Sequence, residues 1–196
     1  MSNSLSLLIQ LASGRKHAFL QTDAEHNKAL LGELDPRQLF QRDLLVVAGS
    51  HEEAGFRTSE ILRIEVSATE LPDWPYGPRV TRAEIVDEVR FDGMRDSLAQ
   101  LDRSEQSLRL DEEWDGMLEL EDTRGDRVHI AFHAEAIAPA LRATVLRGLL
   151  EADFIHARQA NTSVLINPAH IAAARLLPGL PELPPRALVA ERDGVD

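Results

Sequence analysis

The chain has no cysteine. Disulfides, thiolate zinc sites and cysteine nucleophiles are excluded together, and the absence of disulfides suits an intracellular protein. Aromatic residues are scarce, at 5% of the composition with two tryptophans and one tyrosine, so the core is expected to be Leu, Ile, Val and Ala. Basic residues are the minority, with 21 Lys+Arg against 33 Asp+Glu and a formal charge of -12. A field of that sign repels phosphate, which argues against general nucleic-acid binding and against anionic membranes. No apolar run approaches the roughly 20 residues of a membrane helix, and the first residues lack the basic and apolar regions of a signal peptide. A cytoplasmic protein without membrane contact is expected. A P-loop, a GxGxxG and a nucleophile elbow are also missing from the sequence.

What is present is a pattern of short extended runs interrupted by helices. From Met117 an apolar run to Glu121 leads through Arg124-Gly125-Asp126 into an alternating run, Arg127 to Glu135. A helical segment, Ile137 to Glu151, precedes two further extended runs, Asp153 to Gln159 and Thr162 to Asn167. The N-terminal stretch has the same order. Leu5 to Leu11 and Lys16 to Thr22 flank a turn at Gly14, and Asp23 is placed to cap a helix whose buried face is Leu30, Leu31 and Leu34. Asp35-Pro36 interrupts that helix. Asp43 to Gly49, nearly all apolar, reads as a central strand covered on both faces, and Phe56 to Val66 resumes an extended pattern.

The two halves align at an offset of about 110 residues, with Leu8 on Leu118, Leu31 on Leu141 and Asp43-Leu44-Leu45 on Asp153-Phe154-Ile155. The expected fold is α+β, a tandem duplication of a β-β-α-β-β unit with antiparallel sheets each covered by a helix on one face. Residues 1–70 form the first unit, 71–116 a central insertion, 117–178 the second unit and 179–196 a proline-rich tail, extended or disordered. The alternative is a single α+β domain whose halves share a common motif. Within the insertion, Val80 to Phe91 fits a strand or a helix, Asp92 to Arg103 fits a helix, and Asp115-Gly116 is a turn signal. Asn167-Pro168 ends a strand, and Ile171 to Leu177 then supplies a run suited to a sheet edge or a subunit contact.

Two groups of residues are candidates for function. Leu71 to Pro78 holds three prolines and a glycine, so it is a stiff loop, and it carries Trp74 and Tyr76. Aromatics on a rigid loop lose little entropy on contact, which makes Trp74, Tyr76 and Trp114 candidate partner-binding residues. The weightier alternative for Trp74 and Tyr76 is that they plug the gap between two subdomains. The second group is His129 and His133, four apart on one strand face, with His156 on a later strand. Histidine and carboxylate ligands would suit zinc, nickel or iron, whereas the plainer reading places these rings on a solvated sheet face with Val128, Ile130 and Phe132 toward the core. The resulting expectation is a non-enzymatic regulatory or protein-binding module, without cofactor and homodimeric, acting through its aromatic loop and sheet faces. The competing expectation is a divalent-metal enzyme or sensor using His129, His133 and His156.

Overall fold

A computed structural model describes residues 4–48, 52–98, 105, 112–179 and 186–188. It is a mixed α+β structure dominated by one large sheet. Eleven strands are described: β1 (Leu5–Leu11), β2 (Lys16–Gln21), β3 (Leu44–Ala48), β4 (Glu53–Arg57), β5 (Ile61–Ser67), β6 (Val80–Val86), β7 (Trp114–Asp122), β8 (Arg127–Ala134), β9 (Ile155–Gln159), β10 (Thr162–Ile166) and β11 (Ile171–Leu177). The helices are α1 (Ala24–Glu33), α2 (Pro36–Leu39), α3 (Glu88–Leu98), α4 (Pro139–Arg142) and α5 (Val145–Leu150). Nine strands form a sheet in the order β11-β7-β8-β6-β9-β10-β5-β1-β2, and β3-β4 is a separate hairpin. The pairs are antiparallel except β6 and β9, which run parallel where Glu84 meets Arg158.

Local chemistry explains the element boundaries. Asp23 accepts from the backbone N–H groups of Glu25 and His26 at 2.9 Å each, the expected cap of α1. Pro36 opens α2, where its missing N–H leaves nothing unsatisfied. The ambiguous stretch from Val80 splits: β6 ends at Val86, and Asp87 accepts from the Arg90 N–H at 2.9 Å to start α3. The helix expected from Ile137 is two short ones, α4 with Pro139 in its first turn and then α5.

Side-chain alternation distributes two cores over opposite faces of the sheet. On one face Leu7, Ile9, Ile64 and Val66 pack under Leu34 and Leu39 of the helices and under Leu45, Val47 and Phe56 of the β3-β4 hairpin. On the other face Leu118, Leu120, Ile130 and Ala83 join Ile155, Val164 and Ile166, with Leu149 of α5 packed against them. Helices therefore lie on both sides of one sheet, where two separate sheets with one covered face each were expected. The cause is edge pairing. β10 closes on β5 from Thr162 opposite Ser67 to Ile166 opposite Arg63, so the backbone groups of both strands are paired across the halves. Asn167 secures that junction: its buried side-chain amide donates to Ile61 O at 3.0 Å and Thr58 O at 3.3 Å, and its N–H donates to Leu62 O.

Two further expectations change. The run Asp43 to Gly49 is not a central strand. β3 buries Leu45 and Val47 and leaves Leu44 and Val46 50% and 51% exposed, because an apolar run does not distinguish a doubly covered strand from an outer strand with an apolar outer side. Asp115-Gly116 is not a turn but lies within β7. Gly116 is required by close approach: a Cβ there would stand 2.4 Å from Phe132 Cζ and 2.9 Å from the Leu177 carbonyl oxygen. The tail beyond Gly179 lies almost wholly outside the described residues, and no helix among those described is long and apolar enough to cross a membrane.

Gly116→Ala is expected to cost about 1–3 kcal/mol by overpacking β7 against β8 and β11. Urea unfolding monitored by circular dichroism measures it, and an unchanged midpoint would show that the strands can separate without cost.

Candidate functional site

The sheet puts the three candidate histidines in three different environments. His129 on β8 is buried and donates from Nε2 to Glu119 Oε2 at 3.1 Å, while Arg175 Nη2 donates to the other oxygen of Glu119 at 3.1 Å. Arg175, Glu119 and His129 stand opposite one another on β11, β7 and β8, and Phe91 of α3 lies 4.7 Å from the imidazole. This face is covered by α3, contrary to the solvated surface considered above. His133, four residues on, is near the surface. Its Nδ1 meets Asp115 at 3.0 Å and its Nε2 meets Glu113 at 3.4 Å, contacts that raise its pKa, Asp115 most strongly. The two carboxylates sit on opposite nitrogens of the ring, so they do not share a point with it. Among the described residues no group of three or more His, Asp or Glu side chains is arranged to hold a metal. His129, His133 and His156 do not converge, and the expected divalent-metal site is not assembled from them.

His156 belongs to the aromatic loop instead. Its Nδ1 donates to Pro75 O at 3.1 Å, and because a carbonyl can only accept, Nε2 carries the lone pair and accepts from the Ser163 hydroxyl at 3.2 Å. Tyr76 stacks on the imidazole at 4.7 Å with an interplanar angle of 6°, and Trp74 meets it edge-on at 6.1 Å. Arg158 Nη2 adds a bond to Pro72 O at 2.7 Å. The stiff loop is thus clamped onto β9. Trp74 is buried in the first core and Tyr76 packs against the second, an arrangement in which the loop fills a gap. Trp114 is also buried, at the start of β7 against Phe132 and Ile137. None of the three indole and phenol rings stands free on the surface as a partner-binding group would.

The second core is incompletely filled. Between the sheet and α4-α5 lies a cavity of about 280 Å³ with an almost wholly apolar wall. Its floor is Ala83, Leu118, Ile130 and Phe132, its roof Leu141, Val145, Leu146 and Leu149, and Tyr76 and Trp114 line it as well. The roof is loose: α5 has no fully buried residue, and Leu141 and Leu150 are well exposed. Sequence reasoning passed over this wall. The available signal was Leu141, Val145 and Leu149 at helical spacing, but such a stripe ordinarily signifies core. The buried Trp114 Nε1–H has no acceptor among the described residues. The cavity opens to solvent through this loose roof and is larger than the gaps close packing leaves.

Compared with known proteins, the chain matches no family model, and no curated protein or solved structure is significantly similar to it.

Burial lowers the His156 pKa from 6.5 to about 4, and the Pro75 carbonyl offsets this only in part. From pH 6.5 down to about 4 the unfolded chain takes up a proton that the folded chain refuses, so stability falls with pH in that window and is independent of this group above it. The loss is on the order of 3 kcal/mol once the whole window is crossed. Denaturant midpoints at pH 7 and 4.5 test it: His156→Gln is expected to cost more at pH 7 than at pH 4.5, and equal costs at both would contradict the assignment.

Proposed function

We propose that the chain is a non-enzymatic regulatory binding module of the cytoplasm that takes a small molecule on a sheet face beside its aromatic loop. The observation that carries this reading is the roofed apolar cavity under α4-α5, with Tyr76 and Trp114 in its wall. Ligand sites are concave and mostly apolar with few polar groups, and an apolar wall open to water gains dispersion contacts and releases that water when a ligand covers it. The clamped loop supports the same reading, because a wall anchored through His156 and Arg158 is preorganised for binding. N-phenyl-1-naphthylamine, a neutral fluorescent reporter, should bind at one site, and Leu146→Trp and Gly148→Leu, each adding bulk at the roof, should abolish binding with the thermal midpoint retained. Absence of binding, or binding that both variants retain, would overturn the reading.

We also infer that the halves descend from one duplicated β-β-α-β-β unit. Support comes from matched turns: Gly14 between β1 and β2 and Gly125 between β7 and β8 both have φ +87°. Single 3₁₀ turns, Thr58–Glu60 and Pro168–His170, precede β5 and β11, and each of those strands returns to pair with the first strand of its own half. The common offset is about 110 residues.

A second reading, a protein partner in the form of a homodimer, is favoured by Leu44 and Val46 on the outer side of the unpaired β3-β4 hairpin. Light scattering across concentrations should then report a dimer that Val46→Lys converts to monomer. A monomer at every concentration removes this reading.

A further inference from the structure

The cavity reaches water at a charged residue as well as through its roof. Arg79 is exposed and yet lines the apolar wall, so the space comes to the surface beside its side chain. Its guanidinium Nη1 donates to Ala136 O at 3.2 Å. Ala136 lies between Ala134 and Ile137, which both line the cavity, so this contact holds the guanidinium at the rim. The backbone fixes where the side chain starts. Arg79 has φ +64°, a left-handed conformation that glycine or asparagine adopts at less cost. Its carbonyl accepts from the Glu135 N–H at 2.9 Å, which ties the turn before β6 to the chain just after β8.

The charge around this rim is unusual for so acidic a chain. Of its 33 Asp and Glu residues none lines the cavity, and no carboxylate of a described residue forms an ion pair with Arg79. Glu135, its backbone neighbour, is exposed and does not pair with it. By contrast Arg82, Arg127 and Arg175 are each paired, with Glu84, Glu121 and Glu119. A guanidinium is a planar fork of five donors, and one bond to a carbonyl leaves others for a planar anion. Deeper polar groups are engaged: both nitrogens of His156 are bonded, and the Thr144 hydroxyl donates to Leu141 O at 2.8 Å. An ionised group carried into the apolar interior would lose its water without a counter-charge, whereas at the rim it keeps water and meets Arg79. The volume of about 280 Å³ equals the share of about nine waters in the liquid, so the apolar part of a ligand has about that many heavy atoms.

We propose that the cavity binds a medium-length amphipathic carboxylic acid, its apolar tail under α4-α5 and its carboxylate at the rim on the Arg79 guanidinium. This rests on the binding-module reading above and adds the ligand class. Displacement of N-phenyl-1-naphthylamine by octanoate, 1-octanol and octylammonium, which differ only in the head group, tests it in the wild-type chain and in Arg79→Gln. Octanoate should displace the reporter better than octylammonium, although the net charge of -12 favours the cation at a distance. The ratio of octanoate to 1-octanol affinity should fall about three- to ten-fold in Arg79→Gln, the loss expected for one partly exposed charged pair, with 1-octanol affinity little changed. A reporter that binds while the ratio is the same in both proteins overturns the role of Arg79 and leaves the module standing. A reporter that does not bind removes both. Octylammonium binding as tightly as octanoate overturns the acid class. Should Arg79→Gln fail to fold, acid titration of carboxyl-¹³C octanoate bound to the wild-type chain decides. A carboxyl pKa below that of free octanoate supports the pair with Arg79, and an unchanged or raised one overturns it.

Discussion

The pairing of β10 with β5 organises everything else. In the first half the hairpin after the helices, β3-β4, stays out of the large sheet and lies over the core face, so helices and hairpin together fill that side. In the second half the hairpin that follows the helices, β9-β10, enters the sheet, with β10 on β5 and β9 beside β6. It satisfies its backbone there but no longer covers anything. The face of β7 and β8 is left to two helices of four and six residues. They are too short to bury a full apolar stripe, and the cavity is the volume they do not fill.

The insertion completes the arrangement. β6 occupies the gap between β8 and β9, and the loop before it is pinned through His156 and Arg158. Both faces near that gap are then in use. On one, α3 covers the line of Arg175, Glu119 and His129, in which the half-buried guanidinium is paired with the buried Glu119 carboxylate and offsets its desolvation. On the other is the apolar space described above. The histidines that suggested a metal are spent on structure: one in a buried hydrogen bond to Glu119, one in a surface pair with two carboxylates, one as the anchor of the loop.

Much of this was legible from local chemistry. The cap at Asp23, the break at Asp35-Pro36, the hairpin turns at Gly14 and Gly125 and the final run after Asn167-Pro168 depend on a few neighbouring residues, and each was read from them. What depended on distant pairing was not legible. Nothing local in Leu44–Ala48 says that its outer side stays half exposed, and nothing in Thr162–Ile166 says that its partner is Ile61–Ser67. The spacing of His129 and His133 gave their common face correctly but not the helix laid across it. Gly116 was misread for the same reason: Asp-Gly is a turn signal by itself, and the need for a missing Cβ comes from Phe132 on the next strand. The cavity was invisible because it is a deficit, and a stripe of leucines reads the same whether or not the space beneath it is full.

The most direct test is the indole ¹⁵N–¹H resonance of the two tryptophans during titration with N-phenyl-1-naphthylamine. Trp114 lines the cavity and Trp74 is buried in the other core, so one serves as probe and the other as control. The Trp114 resonance should move and saturate as the ligand fills the cavity its ring lines, while Trp74 stays in place. Two stationary resonances, or equal movement of both, would contradict the account.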